Sequence, residues 1–153
     1  MLPPNASPRN GGRPVSQENL EAARRVWELF SEGAGSETPA SDTVWSDLAS
    51  PELEYREDPQ WPGSGVYRGQ EAIQARFEEY QEILGPTEVT LRDIKARGDV
   101  VVLVFDTRGN SRETDLPFEH EWAYVWTFNK GRLAEWQAYY EKGAALKVVG
   151  LEE

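Results

Sequence analysis

A short acidic stretch is the first place where this sequence could do chemistry. The segment YREDPQWPGSGVYRG, residues 55–69, puts Glu57 and Asp58 directly before Pro59, and Trp61 follows two residues later. A carboxylate that faces an apolar pocket can serve as a general base. Proline also holds the preceding residue in extended geometry, and aspartate is a common turn residue. We predict that Asp58 is a catalytic base facing a pocket, with an acidic surface turn as the alternative.

A second set of polar groups lies in the aromatic segment FEHEWAYVWTF, residues 118–128. Strand alternation sends His120 and Tyr124 to the same face as its aromatic rings. Histidine exchanges protons near neutral pH, and a buried tyrosine hydroxyl needs a hydrogen-bond partner. We predict that Tyr124 donates a hydrogen bond to a ligand. His120 is a further catalytic candidate, with a hydrogen-bonded structural histidine as the alternative.

Large aromatic residues surround these polar candidates in the predicted scaffold. An apolar pocket with a few convergent polar groups is the usual form of a small-molecule site. The expected partner is therefore a small, largely apolar molecule. The residues predicted to bind it are Trp27, Tyr55, Trp61, Phe77, Trp122, Trp126, Trp136 and Tyr140.

The apolar periodicity predicts the elements that must position these residues. Helical spacing predicts helices at about 17–32, 42–49, 70–85 and 142–149. Alternation predicts one strand at about 53–57 and then two hairpins. Because helices come first and a long antiparallel meander follows, the predicted fold class is α+β, with helices on one face of a curved sheet. Residues 16–153 form the single predicted domain, after a disordered leader at residues 1–15.

The second hairpin turns at residues 129–131, which we interpret as a three-residue loop with glycine in the left-handed conformation. Pairing Phe128 with Arg132 would set Tyr124 opposite Trp136.

The outer face of this hairpin would then expose an apolar strip framed by polar groups. Such strips often mark interfaces. We predict a twofold homodimer through the outer sheet face, with Val125 near its centre. The strip consists of Ala123, Val125, Leu133 and Tyr139.

Composition excludes several classes of partner. The formal net charge is −11 over 153 residues, which repels nucleic-acid phosphates and anionic membrane surfaces. With no cysteine and one histidine, the sequence predicts neither disulfides nor a metal site. The leader lacks the apolar run of a signal peptide, so we expect a cytoplasmic protein.

The segments LEYREDPQWPGSGVYRGQEAI and WAYVWTFNKGRLAEWQAYY resemble the SnoaL-like branch of the nuclear-transport-factor-2-like superfamily, which is related to ketosteroid isomerase. The resemblance implies a cone-shaped, mostly antiparallel curved sheet wrapped over N-terminal helices, with an internal pocket. It also implies cofactor-free proton transfer next to a carbonyl, of isomerase, cyclase or dehydratase type, with Asp58 as base and Tyr124 at the oxyanion. Many members of the superfamily are not catalytic. A ligand-binding or dimerisation module therefore stays open as the alternative.

Overall fold

The computed structural model describes residues 15–34 and 47–150. Within these residues it forms three helices and a six-stranded, curved, unclosed mixed sheet, so the predicted α+β class is confirmed. The sheet order is β2-β1-β6-β5-β4-β3. In chain order the elements are α1 (Val15–Ala34), β1 (Ala49–Arg56), β2 (Val66–Arg68), α2 (Gln70–Leu84), β3 (Glu88–Arg97), β4 (Val100–Asn110), β5 (Pro117–Asn129), β6 (Arg132–Tyr139) and α3 (Lys142–Val148).

Helix α1 packs on the concave face of the sheet because its apolar residues recur at helical spacing. Ala23, Val26 and Trp27 are all buried in the main core. A polar contact fixes the helix along its axis, since the buried Asn19 side-chain amide donates to the Gly98 carbonyl at 3.0 Å. This bond joins α1 to the turn between β3 and β4.

Strand β1 enters the sheet parallel to β6, although the two are far apart in the sequence. Tyr55 lies opposite Trp136 in this pairing. Strand alternation then places Leu53 and Tyr55 on the concave face, while Arg56 is exposed on the other. The short strand β2, which periodicity did not predict, pairs antiparallel with β1 at the sheet edge.

The predicted register of the β5–β6 hairpin is wrong by one residue next to the turn and by two residues beyond it. Tyr124 lies opposite Ala138, and Trp126 lies opposite Trp136. Asn129 pairs with Arg132, so the loop has two residues, and both have positive φ, as tight hairpin turns require. A bulge beyond Phe128 accommodates one extra residue on β6.

Because of the bulge, the predicted outer strip is wrong in one of its residues. Leu133 is fully buried in the main core on the concave face, not on the outer face. Ala123 and Val125 do lie on the outer face, but they are buried there in a second cluster that includes Ala145 of α3. The expected exposed strip is therefore covered largely by the chain's own helix, and the homodimer centred on Val125 stays a prediction.

Helix α3 is held on this outer face by a polar contact as well as by apolar packing. The Arg97 guanidinium donates to the carbonyls of Val149 and Gly150, at 3.2 and 2.9 Å. These carbonyls follow the end of the helix, where backbone acceptors lack partners within the helix. The edge strand β3 thus anchors the end of the described chain.

Two predictions fall mostly outside the described residues. These are the leader at 1–15, of which only Val15 is described, and the helix at about 42–49. Its last predicted residue, Ala49, begins β1 instead. None of the helices in residues 15–34 and 47–150 has the length and apolar character to cross a membrane.

The β5–β6 turn offers a direct test of backbone strain. Gly131 has φ +79°, and no atom lies within 4 Å of the position that a Cβ would take, so an added methyl group meets strain rather than a clash. We expect Gly131→Ala to lower the free energy of unfolding by about 1 kcal/mol. The matched control is Gly143→Ala in α3, which also enters open space but at ordinary φ. It should be neutral or stabilising. Urea unfolding measures both, and equal effects would contradict the turn assignment.

Candidate functional site

A cavity of about 500 Å³ lies between the concave face of the sheet, α1 and α2. Its described walls come from every strand except β2 and from the segments that follow β1, α2 and β4. Ten of the described lining residues carry Phe, Tyr or Trp rings. They are Phe30, Tyr55, Trp61, Phe77, Tyr80, Phe105, Phe118, Trp122, Tyr124 and Tyr140.

The most buried charge at this cavity is Glu57, not Asp58. The Glu57 side chain is 3% exposed and accepts two hydrogen bonds from the Arg76 guanidinium, at 3.0 and 2.9 Å. It also accepts bonds from the hydroxyls of Tyr55 and Tyr80 and from the Gly65 amide. Five donors occupy its lone pairs, so Glu57 has none left to accept a hydrogen bond from a ligand.

Arg76 of α2 provides the cation of this network. Its hydrogen bonds to Glu57 raise the pKa of its guanidinium, so it carries a full positive charge. Its guanidinium carbon lies 4.5 Å from the Tyr80 ring centroid, within cation–π distance. A buried carboxylate without such a partner would be costly, so Arg76 is what permits Glu57 to lie in the interior.

Asp58 lies at the cavity and is also buried, at 8% exposure. One carboxylate oxygen accepts a hydrogen bond from the Gln60 backbone amide at 3.0 Å, and the other accepts one from the Tyr140 backbone amide at 2.9 Å. The first bond is that of an aspartate turn, and the second ties the turn to the end of β6. Each oxygen keeps a further lone pair. The structure therefore combines the turn role with a position on the cavity wall.

Tyr124 lines the cavity, as its predicted role requires. Burial raises the pKa of its hydroxyl well above the usual value, and the negative charge of Glu57 adds to the rise. Burial, followed by the charges of Tyr124 and Glu57, likewise raises the pKa of the Tyr55 hydroxyl. Both phenols stay protonated in the folded protein and can act only as neutral hydrogen-bond donors or acceptors. Tyr55 donates to Glu57, whereas Tyr124 has no hydrogen-bond partner among the described residues.

His120 also lines the cavity and is held by the end of β6. Its Nε2 lies 2.7 Å from the Tyr140 carbonyl oxygen, which can only accept, so Nε2 carries the proton. Its ring stacks on the Tyr140 ring at 3.9 Å between centroids. When the imidazole is neutral, Nδ1 is therefore an acceptor. The structural role of His120 is present, and a catalytic role stays a prediction.

The predicted ligand-binding residues divide between the cavity wall and the core. Tyr55, Trp61, Phe77, Trp122 and Tyr140 line the cavity. The tryptophans at positions 27, 126 and 136 do not belong to its described lining, and each is buried in the main core. Alternation along a strand determines on which face of the sheet a side chain lies, but it does not determine how deeply that side chain is buried. The three buried residues are Trp27, Trp126 and Trp136, at 7%, 0% and 1% exposure.

Sequence reasoning missed the network around Glu57, although two patterns contain it. Leu53, Tyr55 and Glu57 alternate along β1 and its extension, so Glu57 shares the concave face with Tyr55. Arg76 and Tyr80 are four residues apart on α2 and so share one face of that helix. Neither pattern indicates that the two faces meet, because the contact joins segments about twenty residues apart.

No group of three or more His, Cys, Asp or Glu side chains with the spacing of a metal site occurs in the described parts of the chain.

The sequence itself matches a known domain. The model of the SnoaL-like domain family aligns with residues 40–136, which is well over half of the chain. The chain belongs to the SnoaL-like domain family. No curated protein matches it significantly.

Solved structures agree with this SnoaL-like fold. A candidate SnoaL-like polyketide cyclase from Jannaschia sp. CCS1 superposes with a TM-score of 0.70 at 18% identity, over 92% of this chain and 97% of that one. A nuclear transport factor 2-like protein from Anabaena variabilis ATCC 29413 has a TM-score of 0.70 at 16% identity, over 84% and 93%. A protein with a ketosteroid isomerase-like fold from Catenulispora acidiphila DSM 44928, in complex with trimethylamine, has a TM-score of 0.63 at 16% identity, over 83% and 93%. At these identities the likeness shows the fold alone.

The Glu57–Arg76 pair should be a major determinant of stability. Arg76→Ala leaves a buried carboxylate without its cation, and we expect the free energy of unfolding to fall by about 3 kcal/mol. The control is Arg92→Ala, which breaks an exposed ion pair with Asp106 and should cost less than about 1 kcal/mol. Chemical denaturation of both variants gives the comparison. Equal losses would show that the Glu57 pair is not the stabilising contact described above.

Proposed function

We propose that this SnoaL-like protein binds a small, largely apolar molecule, with at least one ring, in the aromatic cavity. The observation that carries the proposal is the cavity itself, about 500 Å³ of mostly apolar space whose lining includes ten Phe, Tyr and Trp rings. Small-molecule sites in proteins fall in the range of about 300–1,000 Å³ and have this apolar character.

The arrangement of the rings supports binding rather than simple packing. Trp61, Trp122 and Tyr140 are only partly buried although they contact one another, so each keeps exposed ring surface at the cavity. Trp126 and Trp136, by contrast, are covered on all sides. A ligand in the cavity would remove the exposed ring surface from water, which is the main favourable term for an apolar guest.

The test uses N-phenylnaphthylamine, a neutral apolar dye whose emission rises in apolar surroundings. We expect saturable binding of one dye per chain. In Val89→Trp the added indole should occupy part of the cavity that Val89 lines, and the affinity should fall by roughly tenfold or more.

The neighbouring Thr90 provides the control for that experiment. Thr90 is exposed and points to the opposite face of β3, so Thr90→Trp adds the same ring away from the cavity. It should bind the dye like the unsubstituted protein. Unsaturable dye emission, or equal loss in both variants, would refute binding in this cavity.

A second candidate function, proton transfer next to a carbonyl without a cofactor, is favoured by one further observation. Asp58 and Tyr124 line the same cavity, and the Tyr124 hydroxyl donates no hydrogen bond to any described residue. In this reaction the Asp58 carboxylate removes a proton from the α carbon and becomes a carboxylic acid. The electron pair moves to the carbonyl oxygen, to which Tyr124 donates its hydrogen bond. Return of the proton to carbon gives the isomerised or exchanged product.

Hydrogen exchange into β-tetralone in D₂O tests this step without knowledge of the natural substrate. Proton NMR should show deuterium incorporation at the α carbon faster with the protein than with buffer. Asp58→Asn should reduce the catalysed rate by about 100-fold or more. Asp106→Asn, which alters a carboxylate paired with Arg92 away from the cavity, should leave the rate unchanged. Catalysed exchange that survives Asp58→Asn would remove Asp58 from the role of base.

A further inference from the structure

The cavity wall is acidic as well as aromatic. Glu57, Asp58 and Glu119 belong to its described lining, and that lining contains no lysine or arginine. Glu57 and Arg76 neutralise each other, and Glu119 lies 3.6 Å from Arg108, so the carboxylate of the described lining left without a cation is Asp58. A cavity with this charge pattern disfavours anions, and the net charge of −11 acts in the same direction.

Asp58 is the carboxylate of this wall whose charge is not balanced by a cation. Its two hydrogen bonds come from the neutral backbone amides of Gln60 and Tyr140. It has no ion-pair partner among residues 15–34 and 47–150, although it is buried. Its negative charge acts on its surroundings: burial and, secondarily, the charge of Asp58 raise the pKa of the nearby Tyr139 hydroxyl.

Three aromatic residues that line the cavity together with Asp58 have rings in mutual contact. The Trp61 and Trp122 rings meet at 67° with centroids 5.2 Å apart. The Trp122 and Tyr140 rings meet at 87° with centroids 5.1 Å apart, whereas the Trp61 and Tyr140 rings are inclined by only 32° at 5.8 Å. The His120 ring covers one face of Tyr140. Backbone hydrogen bonds join Asp58 to two of these residues: the Trp61 backbone amide donates to the Asp58 carbonyl, and the Tyr140 backbone amide donates to the Asp58 carboxylate.

Partly exposed ring faces that line a cavity together with an unpaired carboxylate suit a particular chemical group. The face of an aromatic ring carries partial negative charge and attracts ammonium groups, most strongly in the case of tryptophan. A neutral apolar group gains only from burial against such rings, whereas a cation gains additionally from the rings and from Asp58. A carboxylate or phosphate would be repelled by both.

We propose that the rings of Trp61, Trp122 and Tyr140, together with Asp58, bind the ammonium group of an organic cation, whose apolar part occupies the remaining aromatic cavity. The inference rests on the proposed binding function and not on the proton-transfer reaction. It assigns a charge to the ligand, and it makes Asp58 the counter-ion of that charge.

The test compares three probes of similar shape that differ in charge. Benzyltrimethylammonium is the cation, neopentylbenzene is its neutral carbon analogue, and phenylacetate is an anion. Their affinities are measured by displacement of N-phenylnaphthylamine from the protein. We expect the cation to bind about tenfold or more tighter than the neutral analogue, and the anion to bind weakest.

Two substitutions locate the preference within the cavity. Asp58→Asn removes the charge, and Trp61→Leu removes a ring face but keeps an apolar side chain. Each should lower the ratio of cation affinity to neutral affinity by about fivefold or more. A general loss of folding would weaken both probes together and leave the ratio unchanged. The control is Glu121→Gln, which removes a negative charge from the same sheet at a residue paired with Lys142, outside the described cavity wall, and should not alter the ratio.

The outcomes separate this inference from the binding proposal. Binding of neopentylbenzene as tight as that of the ammonium probe would overturn the cation site and leave the binding function intact. Failure of the dye and of all three probes to bind would overturn both. A cation preference that persists in Asp58→Asn and in Trp61→Leu would refute the assignment to these residues.

Discussion

The buried ion pair between Glu57 and Arg76 is the contact on which the arrangement of the cavity depends. It joins the end of β1 to the middle of α2, and the loop between them contributes the Gly65 amide to the same carboxylate. An ionised carboxylate in a protein interior is costly unless ion pairs or hydrogen bonds compensate for its lost hydration, and Glu57 is more deeply buried than Asp58. Five donors provide that compensation here, and they leave α2 little freedom to move relative to the sheet.

This network explains why two adjacent carboxylates have different roles. Glu57 continues the alternation of β1 and points to the concave face, where it is enclosed by Tyr55, Tyr80 and Arg76. Asp58 follows at the turn before Pro59 and binds the Tyr140 amide of the facing strand instead. The first carboxylate is saturated and structural. The second retains free lone pairs at the cavity wall, and it is the carboxylate that our proposed site uses.

The sheet uses its two faces for different purposes. On the concave face, large rings pack against α1 and α2 in the middle of the sheet and leave space toward one end, where the cavity lies. On the convex face, small and β-branched residues such as Val102, Ala123 and Val125 form a flat surface that α3 covers. Arg97 holds the end of that cover through two backbone carbonyls. Helices of the same chain therefore cover both faces of the sheet.

Patterns among neighbouring residues were enough to predict most of the elements, the α+β class, the SnoaL-like family and the concave face of β5, because apolar periodicity and local motifs are local properties. Alternation put Tyr124 and His120 on one face of β5, and in the folded chain both line the cavity together with Asp58; their roles toward a ligand stay predictions.

The β5–β6 register, the inward position of Leu133 and the partner of Glu57 depended instead on the folded chain. A single bulge shifts the β5–β6 register, and the alternating pattern is the same on both sides of it. The Glu57–Arg76 contact joins two segments whose local patterns do not indicate that they pack together. The depth of the three core tryptophans beneath the cavity wall was likewise beyond the pattern, because periodicity defines a direction and packing of the whole core defines the distance.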